Sequence, residues 1–80
     1  MFTKQHFTKI ATMLKNERLE ILGSFYQERI PFLLQVVTNI EGELIDMFEE
    51  SNSRFDRNKF LTASNPSQAE KELAIWEPKN

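Results

Sequence analysis

The sequence has no cysteine and a single histidine, so it lacks the residue types that most often hold metals. Without cysteine there is neither a disulfide framework nor a thiolate site, which fits a reducing compartment. His6 has no suitable partner ligand within a helical turn, and we expect it to be a first-turn surface residue. No metal site and no cofactor are predicted.

Long apolar runs and a basic excess are also missing. No run approaches the roughly 20 residues of a membrane span, and the first residues do not form a signal peptide. A net charge of −2 disfavours a general nucleic-acid binder. No glycine-rich phosphate loop and no nucleophile with an arranged base can be assembled. These absences predict a cytoplasmic protein that is not an enzyme and has no catalytic residues.

What the chain does have is helical periodicity. Between Ile30 and Phe48 the apolar residues recur at three-and-four spacing. We therefore expect a helix at about 29–50, and we expect this helix to be the central one. Its predicted inner face is Ile30, Leu33, Leu34, Val37, Ile40, Leu44 and Phe48.

A first helix is predicted at about 4–22. Thr3 is its candidate N-cap, and Phe2 before it can pack on Phe7 as a hydrophobic staple. Gly23 suits the left-handed position that ends a helix, and Ser24 can cap the next one. A helix beginning at Ser24 would be kinked by its later proline, whereas one beginning near residue 28 would hold that proline in its first turn. We prefer the second alternative, with residues 24–28 helical but bent.

The third predicted helix is short, spans 57–63 and is capped by Asp56. Its aromatic and aliphatic residues should form a lid over the ends of the first two helices, with Phe55, Phe60 and Leu61 buried. Pro66, capped by Asn65, would open a last helical turn with a weak apolar stripe of Ala69, Leu73 and Trp76. Residues 77–80 should be frayed.

These elements predict an all-α protein. A hairpin of two antiparallel helices is closed by the short third helix, and a partly ordered C-terminal tail follows. We assign residues 1–63 to the helical domain and residues 64–80 to a C-terminal extension. A chain of 80 residues buries only about 60 to 65% of its unfolded surface, so the domain is marginal alone.

Part of the sequence resembles a group of short uncharacterised phage and prophage proteins. The resemblance covers Phe2-Thr3-Lys4, Ile10-Ala11 and Asn52-Ser53-Arg54-Phe55-Asp56-Arg57-Asn58-Lys59-Phe60-Leu61-Thr62-Ala63. Proteins of that group have Asn-Pro-Arg-Phe-Asp-Arg-x-x-Phe-Leu-x-Ala at the second segment. Here Ser53 replaces the proline, and the 17 residues from Ser64 to Asn80 extend beyond where such proteins commonly stop. The resemblance implies a phage-borne accessory protein and carries no catalytic residues.

The protein is therefore expected to bind an unidentified host or phage protein. By this binding it would inhibit or modulate a host factor. An acidic run on the second helix is either a solvated face or a surface for a basic partner. Phe32 and Val36 form an apolar flank that Phe25 continues. This flank is either a homodimer seam or a surface covered by the segment from Ala69 to Trp76. The candidate partner-binding residues are Phe25, Phe32, Val36, Glu43, Asp46, Glu49, Glu50 and Trp76.

The alternative function is a small nucleic-acid-binding regulator. Arg54, Arg57 and Lys59 form a compact cluster at a helix start, which suits a phosphate or a carboxylate. Two helices joined by a short turn could imitate a helix-turn-helix reader. Phe60 and Leu61, however, occupy what would be the reading face.

A structural ion pair is also predicted, from two misfits. Arg18 lies in the apolar arc of the first helix and Glu41 in that of the second. Charged groups are rarely buried unless they are paired. In an antiparallel hairpin Arg18 faces residues 37–41, so the pair can form within the chain. The alternatives are a pair across a dimer, or no pair because both side chains reach solvent.

Overall fold

The computed structural model describes residues 3–24 and 26–76, with residues 75 and 76 described by their backbone alone. These ranges contain four α-helices and one 3-10 turn. In chain order they are α1 (Lys4–Leu22), the 3-10 turn (Gln27–Arg29), α2 (Ile30–Ser51), α3 (Arg57–Ser64) and α4 (Gln68–Trp76). No strand occurs in these ranges. The all-α class is confirmed, and the segment expected to be a partly ordered tail contains α4.

The N-terminus of α1 is capped as predicted. The Thr3 side chain accepts a hydrogen bond from the His6 amide, and the Thr3 amide donates to His6 Nδ1 at 3.1 Å. His6 thus takes the place that glutamate or glutamine usually holds in a capping box. It lies on the surface, as expected. The staple of Phe2 on Phe7 falls partly outside the described residues.

The connection between α1 and α2 differs from the prediction. Gly23 has φ −86° and ψ 5°, so it is not left-handed, and the Ser24 hydroxyl accepts from the Tyr26 amide rather than capping a helix. The amides of Gly23 and Ser24 bond the carbonyls of Leu19 and Ile21, which closes the helix without a positive φ. Of the expected bent helix at 24–28, the described residues form no more than the beginning of the 3-10 turn, which runs on to Arg29. Pro31 does lie in the first turn of α2, where its missing N–H costs little.

The prediction for the start of α4 was wrong. Asp56 caps α3 as expected, but α4 begins at Gln68 rather than at Pro66. The Ser67 amide donates to Glu70 Oε1 at 3.0 Å, and the Glu70 amide donates to Ser67 Oγ at 3.2 Å. This reciprocal capping box satisfies two amides, whereas a cap at Asn65 would satisfy one.

The central helix is α1, not α2 as predicted. The other three α-helices all pack against it, with α3 and α4 following one another along its length. At 1.5 Å per residue, α2 is about 33 Å long and contacts α1 with one face only. The hairpin is antiparallel, because Phe7 near the start of α1 meets Phe48 near the end of α2.

The core is built around phenylalanine rings and confirms the predicted lid. Phe7, Phe48, Phe55 and Phe60 come from four different segments, with ring centroids 4.8–5.5 Å apart. Tilted and edge-on rings at this spacing add to the energy of burial alone. Phe60 is buried, while Phe55 and Leu61 are partly buried against the same cluster. Ala11 is also buried, and its small side chain suits a site of close packing.

The inner face of α2 is rotated relative to the prediction. Ile40, expected inside, is exposed, whereas Ile45 is buried with Glu41 and Phe48. Successive residues on a helix lie about 100° apart, so turning Glu41 inward turns Ile40 outward. The buried face of α2 is therefore centred on Glu41, Ile45 and Phe48.

Candidate functional site

A row of apolar side chains lies open to solvent along α2. Phe32 is 70% exposed, Ile40 47%, Met47 43% and Val36 39%. Steps of four, four and seven residues place all four on one side of the helix. We call these four residues the outer stripe.

No described element covers the outer stripe. The segment from Ala69 to Trp76, one of the two predicted covers, forms α4, and α4 packs on α1 instead. Beside the stripe, Leu33 and Leu44 are half-buried, so the apolar surface continues from the stripe toward the core. The predicted flank residues Phe32 and Val36 thus lie on an open surface. Phe25 and the Trp76 side chain are outside the described part of the chain.

Acidic side chains border the stripe over the second half of α2. Glu43, Asp46, Glu49 and Glu50 are all exposed. The last turn of α2 contains no basic residue that would offset them. Glu49 lies 3.8 Å from Arg57, but both side chains are largely solvated, so this contact is weak. The candidate surface is therefore an apolar row with an acidic border.

The basic residues of the alternative hypothesis do not form an isolated cationic surface. Arg54, Arg57 and Lys59 are exposed, yet the Asp56 carboxylate already accepts the Lys59 amide at the start of α3. Arg57 points toward Glu49. An anion at this helix end would meet two carboxylates, which disfavours the phosphate reading.

The structure contains the ion pair between Arg18 and Glu41 within a single chain. Arg18 Nη1 lies 2.7 Å from Glu41 Oε2, and the two residues are only 5% and 4% exposed. The predicted pair within the chain is therefore confirmed. The two alternatives, a pair across a dimer and separate solvated side chains, do not fit these contacts. The pair joins the middle of α1 to the middle of α2.

Ser64 completes the site and was not among the predicted site residues, because residues 64–80 were assigned to a C-terminal extension. It is fully buried; its hydroxyl donates to Glu41 Oε2, and its carbonyl accepts from Arg18 Nη1 at 2.7 Å. Arg18 therefore also satisfies the last carbonyl of α3, a group that a helix end leaves unpaired. The available signal was spacing, because Ser64 follows buried Phe60 by four residues and shares its helical face.

Thr38 is the outermost member of this network, with its hydroxyl 3.4 Å from Arg18 Nη2. Among the described residues, no buried side-chain nitrogen or oxygen lacks a hydrogen-bond partner. A buried polar network is stable only when its members are satisfied in this way. The arrangement joins α1, α2 and α3 at one point.

The protonation state of Glu41 follows from these contacts. Burial would raise the pKa of its carboxyl, but hydrogen bonds from Arg18 and Ser64, with the charge of Arg18, outweigh burial and lower the pKa. The carboxylate is therefore charged at neutral pH. It bonds Arg18 and Ser64, and all three residues are buried.

A second surface feature is an open groove of about 390 Å³ between α1 and α4. Lys15 Nζ and Glu70 Oε2, 3.2 Å apart, link the two helices beside it. The Ser67 amide lowers the pKa of the Glu70 carboxyl, and Lys15 lowers it further. The lining residues are Asn16, Leu19, Glu20, Gly23, Glu70, Leu73 and Ala74.

Two kinds of site were sought in the described ranges without success. No group of three or more histidine, cysteine or acidic side chains there is placed to hold a metal ion. None of the described helices combines the length and the apolar character that a bilayer span requires.

Comparison with known proteins returned no match among protein-family models, curated proteins or solved structures. Function is therefore argued from the geometry of the chain. Of the surfaces described above, α2 presents the largest apolar side chains to solvent.

Proposed function

We propose that the chain is a non-enzymatic accessory protein of the phage type that acts by binding another protein through α2. The observation that carries the proposal is the outer stripe, which leaves Phe32 and three other large apolar side chains in solvent. Contiguous apolar patches on small soluble proteins commonly mark binding surfaces. The phage assignment is supported by the sequence resemblance alone.

A binding role is favoured over catalysis by the way the charged groups are used. The most buried ionisable groups, Arg18 and Glu41, bond each other and Ser64. General acid–base chemistry needs a group within reach of a substrate proton, and this network is closed. The exposed groups, in contrast, border an apolar row.

The chemistry of α2 indicates what kind of partner it takes. The outer stripe offers contact area to apolar side chains, and the acidic border attracts basic ones. A partner helix with one apolar face and flanking lysine or arginine residues satisfies both requirements. Binding of this kind would inhibit or modulate a host factor.

Affinity capture from a bacterial lysate tests the proposal with matched variants. Phe32→Asp places a charge in the outer stripe, and Asp46→Lys reverses the charge at one position of the acidic border. Met13→Asp is the control, because Met13 is 65% exposed but lies on α1. A true partner is retained by wild type and Met13→Asp and is lost with Phe32→Asp. If all variants retain the same proteins, α2 is not the binding surface.

Nucleic-acid binding is separated from protein binding by the salt dependence of retention on heparin or DNA. Phosphate neutralisation gives a steep salt slope. We expect weak retention that Arg54→Glu does not change. Strong retention, steeply lost with salt and with that substitution, would favour the regulator hypothesis instead.

A further inference from the structure

We propose that a second copy of this chain covers the outer stripe, with the two α2 helices antiparallel and the two-fold axis near Ile40. The inference rests on the proposed function and names the first partner of that surface. It leaves Asp46 and Glu49 of the acidic border outside the seam, where a different protein with basic side chains can still bind.

The spacing along α2 fits a helix–helix seam. Leu33, Val36, Ile40, Glu43 and Met47 follow one another at intervals of three and four residues, the pattern of helices that pack side by side. In an antiparallel pair centred on Ile40, Leu33 of one protomer lies opposite Met47 of its partner. Position 36 then lies opposite positions 43 and 44, of which 43 is in the seam, and Ile40 meets its own copy.

The distribution of charge along α2 favours the antiparallel direction. Arg29, just before the first turn, is the cation in line with the stripe, and Glu43 and Glu50 follow it on the same side of the helix. A parallel pair would place each of these groups against its own copy, which is repulsive. In the antiparallel pair, Arg29 instead lies opposite Glu50 of the partner.

Arg29 is available for such a contact. Its guanidinium lies 5.4 Å from the centre of the Tyr26 ring, and both residues are exposed. No carboxylate among the described residues lies within ion-pair distance of it. Such a pair sets direction and register more than it adds affinity.

The size of the surface is also suitable. A specific interface removes about 800 Å² from each partner, and one face of a helix about 33 Å long is of that order. The monomer, in contrast, has a small core, in which the buried apolar residues of the described ranges are Ala11, Leu14, Ile45, Phe48 and Phe60. Small domains commonly gain the burial they lack by oligomerisation.

Cross-linking tests the arrangement directly, because the chain has no cysteine and each introduced thiol is the only one. A short bis-maleimide accepts a wider range of geometry than a disulfide does. The variants are Ile40→Cys, Val36→Cys and Glu43→Cys, with Met13→Cys on α1 as the collision control. Circular dichroism of each variant verifies that it is folded.

The expected result is covalent dimer from Ile40→Cys alone, and mixed dimer from Val36→Cys combined with Glu43→Cys. Val36→Cys and Glu43→Cys should each cross-link poorly by themselves. Efficient self-cross-linking of both would show a parallel pair and overturn the proposed direction. Cross-linking no stronger than that of Met13→Cys at all three sites would overturn the dimer.

Sedimentation at tens of micromolar separates this inference from the proposed function. A wild-type dimer that Phe32→Asp converts to monomer supports the inference. A wild-type monomer overturns it, and the proposed function still stands if Phe32→Asp abolishes capture of another protein. If Phe32→Asp disrupts the dimer but still captures the same proteins, the dimer inference is supported. The outer stripe is then not the surface that binds those proteins.

Discussion

The two faces of α2 use side chains in opposite ways. The inner face buries a carboxylate, Glu41, between Ile45 and Phe48, whereas the outer face leaves Phe32 and Ile40 in solvent. Burial in this helix therefore follows the partners that each side chain finds rather than its polarity. Glu41 finds Arg18 and Ser64 inside the chain. The outer stripe has no partner among the described residues, which is why we assign it to another chain.

The inner face itself contains two kinds of contact. Toward the C-terminus of α2 it meets the phenylalanine cluster, where burial is apolar and insensitive to small rotations. About two to three turns earlier it meets the Arg18 network, where hydrogen bonds fix both distance and rotation. We infer that the cluster supplies most of the stability and the network selects the register.

The largest effect is expected at the phenylalanine cluster. Phe60→Ala should lower the free energy of unfolding by about 3–5 kcal/mol, because it removes a buried ring and leaves a cavity. In a domain this small, such a loss approaches the total stability. Urea unfolding measures it, with Phe32→Ala as a control that should change little at protein concentrations low enough to keep the chain monomeric. An unchanged urea midpoint for Phe60→Ala would refute the lid and remove the contrast between the two faces.

The next effect concerns the ion pair. Arg18→Met or Glu41→Leu alone should each cost about 3 kcal/mol, since each leaves an uncompensated charge in the core. The double variant should recover much of that loss, because two apolar side chains leave no unpaired charge. Urea unfolding of the four proteins forms a double-mutant cycle. Additive effects below about 1 kcal/mol would show that the inner face does not depend on the pair.

Acid should weaken the inner face of α2 through Glu41. The pKa of Glu41 is lower in the folded chain than in the unfolded one, so its stabilising effect is complete above about pH 4.3, the ordinary glutamate pKa. That contribution is lost as the pH falls through the lower folded pKa. Wild type should therefore lose more stability than Glu41→Gln between pH 5 and acid pH, in about the range of glutamate titration.

Thermal melts across this range measure the loss, with Glu43→Gln, an exposed site on the same helix, as the control. Equal pH dependence in wild type and Glu41→Gln would contradict the assigned role of the network.

A smaller effect is expected at Gly42, which belongs to neither face. It is exposed, and a Cβ built there meets no atom within 4 Å. Gly42→Ala should raise the free energy of unfolding by about 1 kcal/mol through helix propensity alone. Urea unfolding measures the gain. A loss of stability would mean that this side of α2 contacts something that the two-face description omits.

Local signals in the sequence predicted much of this fold. Thr3 and Asp56 are caps that act on amides three residues away, so spacing alone reveals them. The pair of Arg18 and Glu41 could also be predicted, because each is a misfit on its own helix and the hairpin brings them together. The Ser67 cap is equally local, because Glu70 follows Ser67 at the three-residue spacing of a capping box.

What sequence could not supply was the rotation of α2 and the position of Ser64. Ile40 and Ile45 are equally apolar, and only contacts with α1 and α3 decide which one lies inside. Spacing from Phe60 indicates the helical face of Ser64, but the contact of Ser64 with Arg18 spans 46 residues of chain and cannot be read from local spacing. The outer stripe was predicted in part, from Phe32 and Val36. Met47 was not predicted, because its exposure depends on the rotation of α2.

The central claim is that the outer face of α2 serves association and not the fold. Phe32→Asp tests it, because this substitution should have the smallest effect on the stability of the folded monomer. The measurement is the thermal midpoint of wild type and Phe32→Asp as a function of protein concentration. Association stabilises by mass action, so only the wild-type midpoint should rise with concentration, and the two should coincide at the lowest concentrations. Two parallel lines, with Phe32→Asp lower by the same amount throughout, would place Phe32 in the monomer fold and contradict the account.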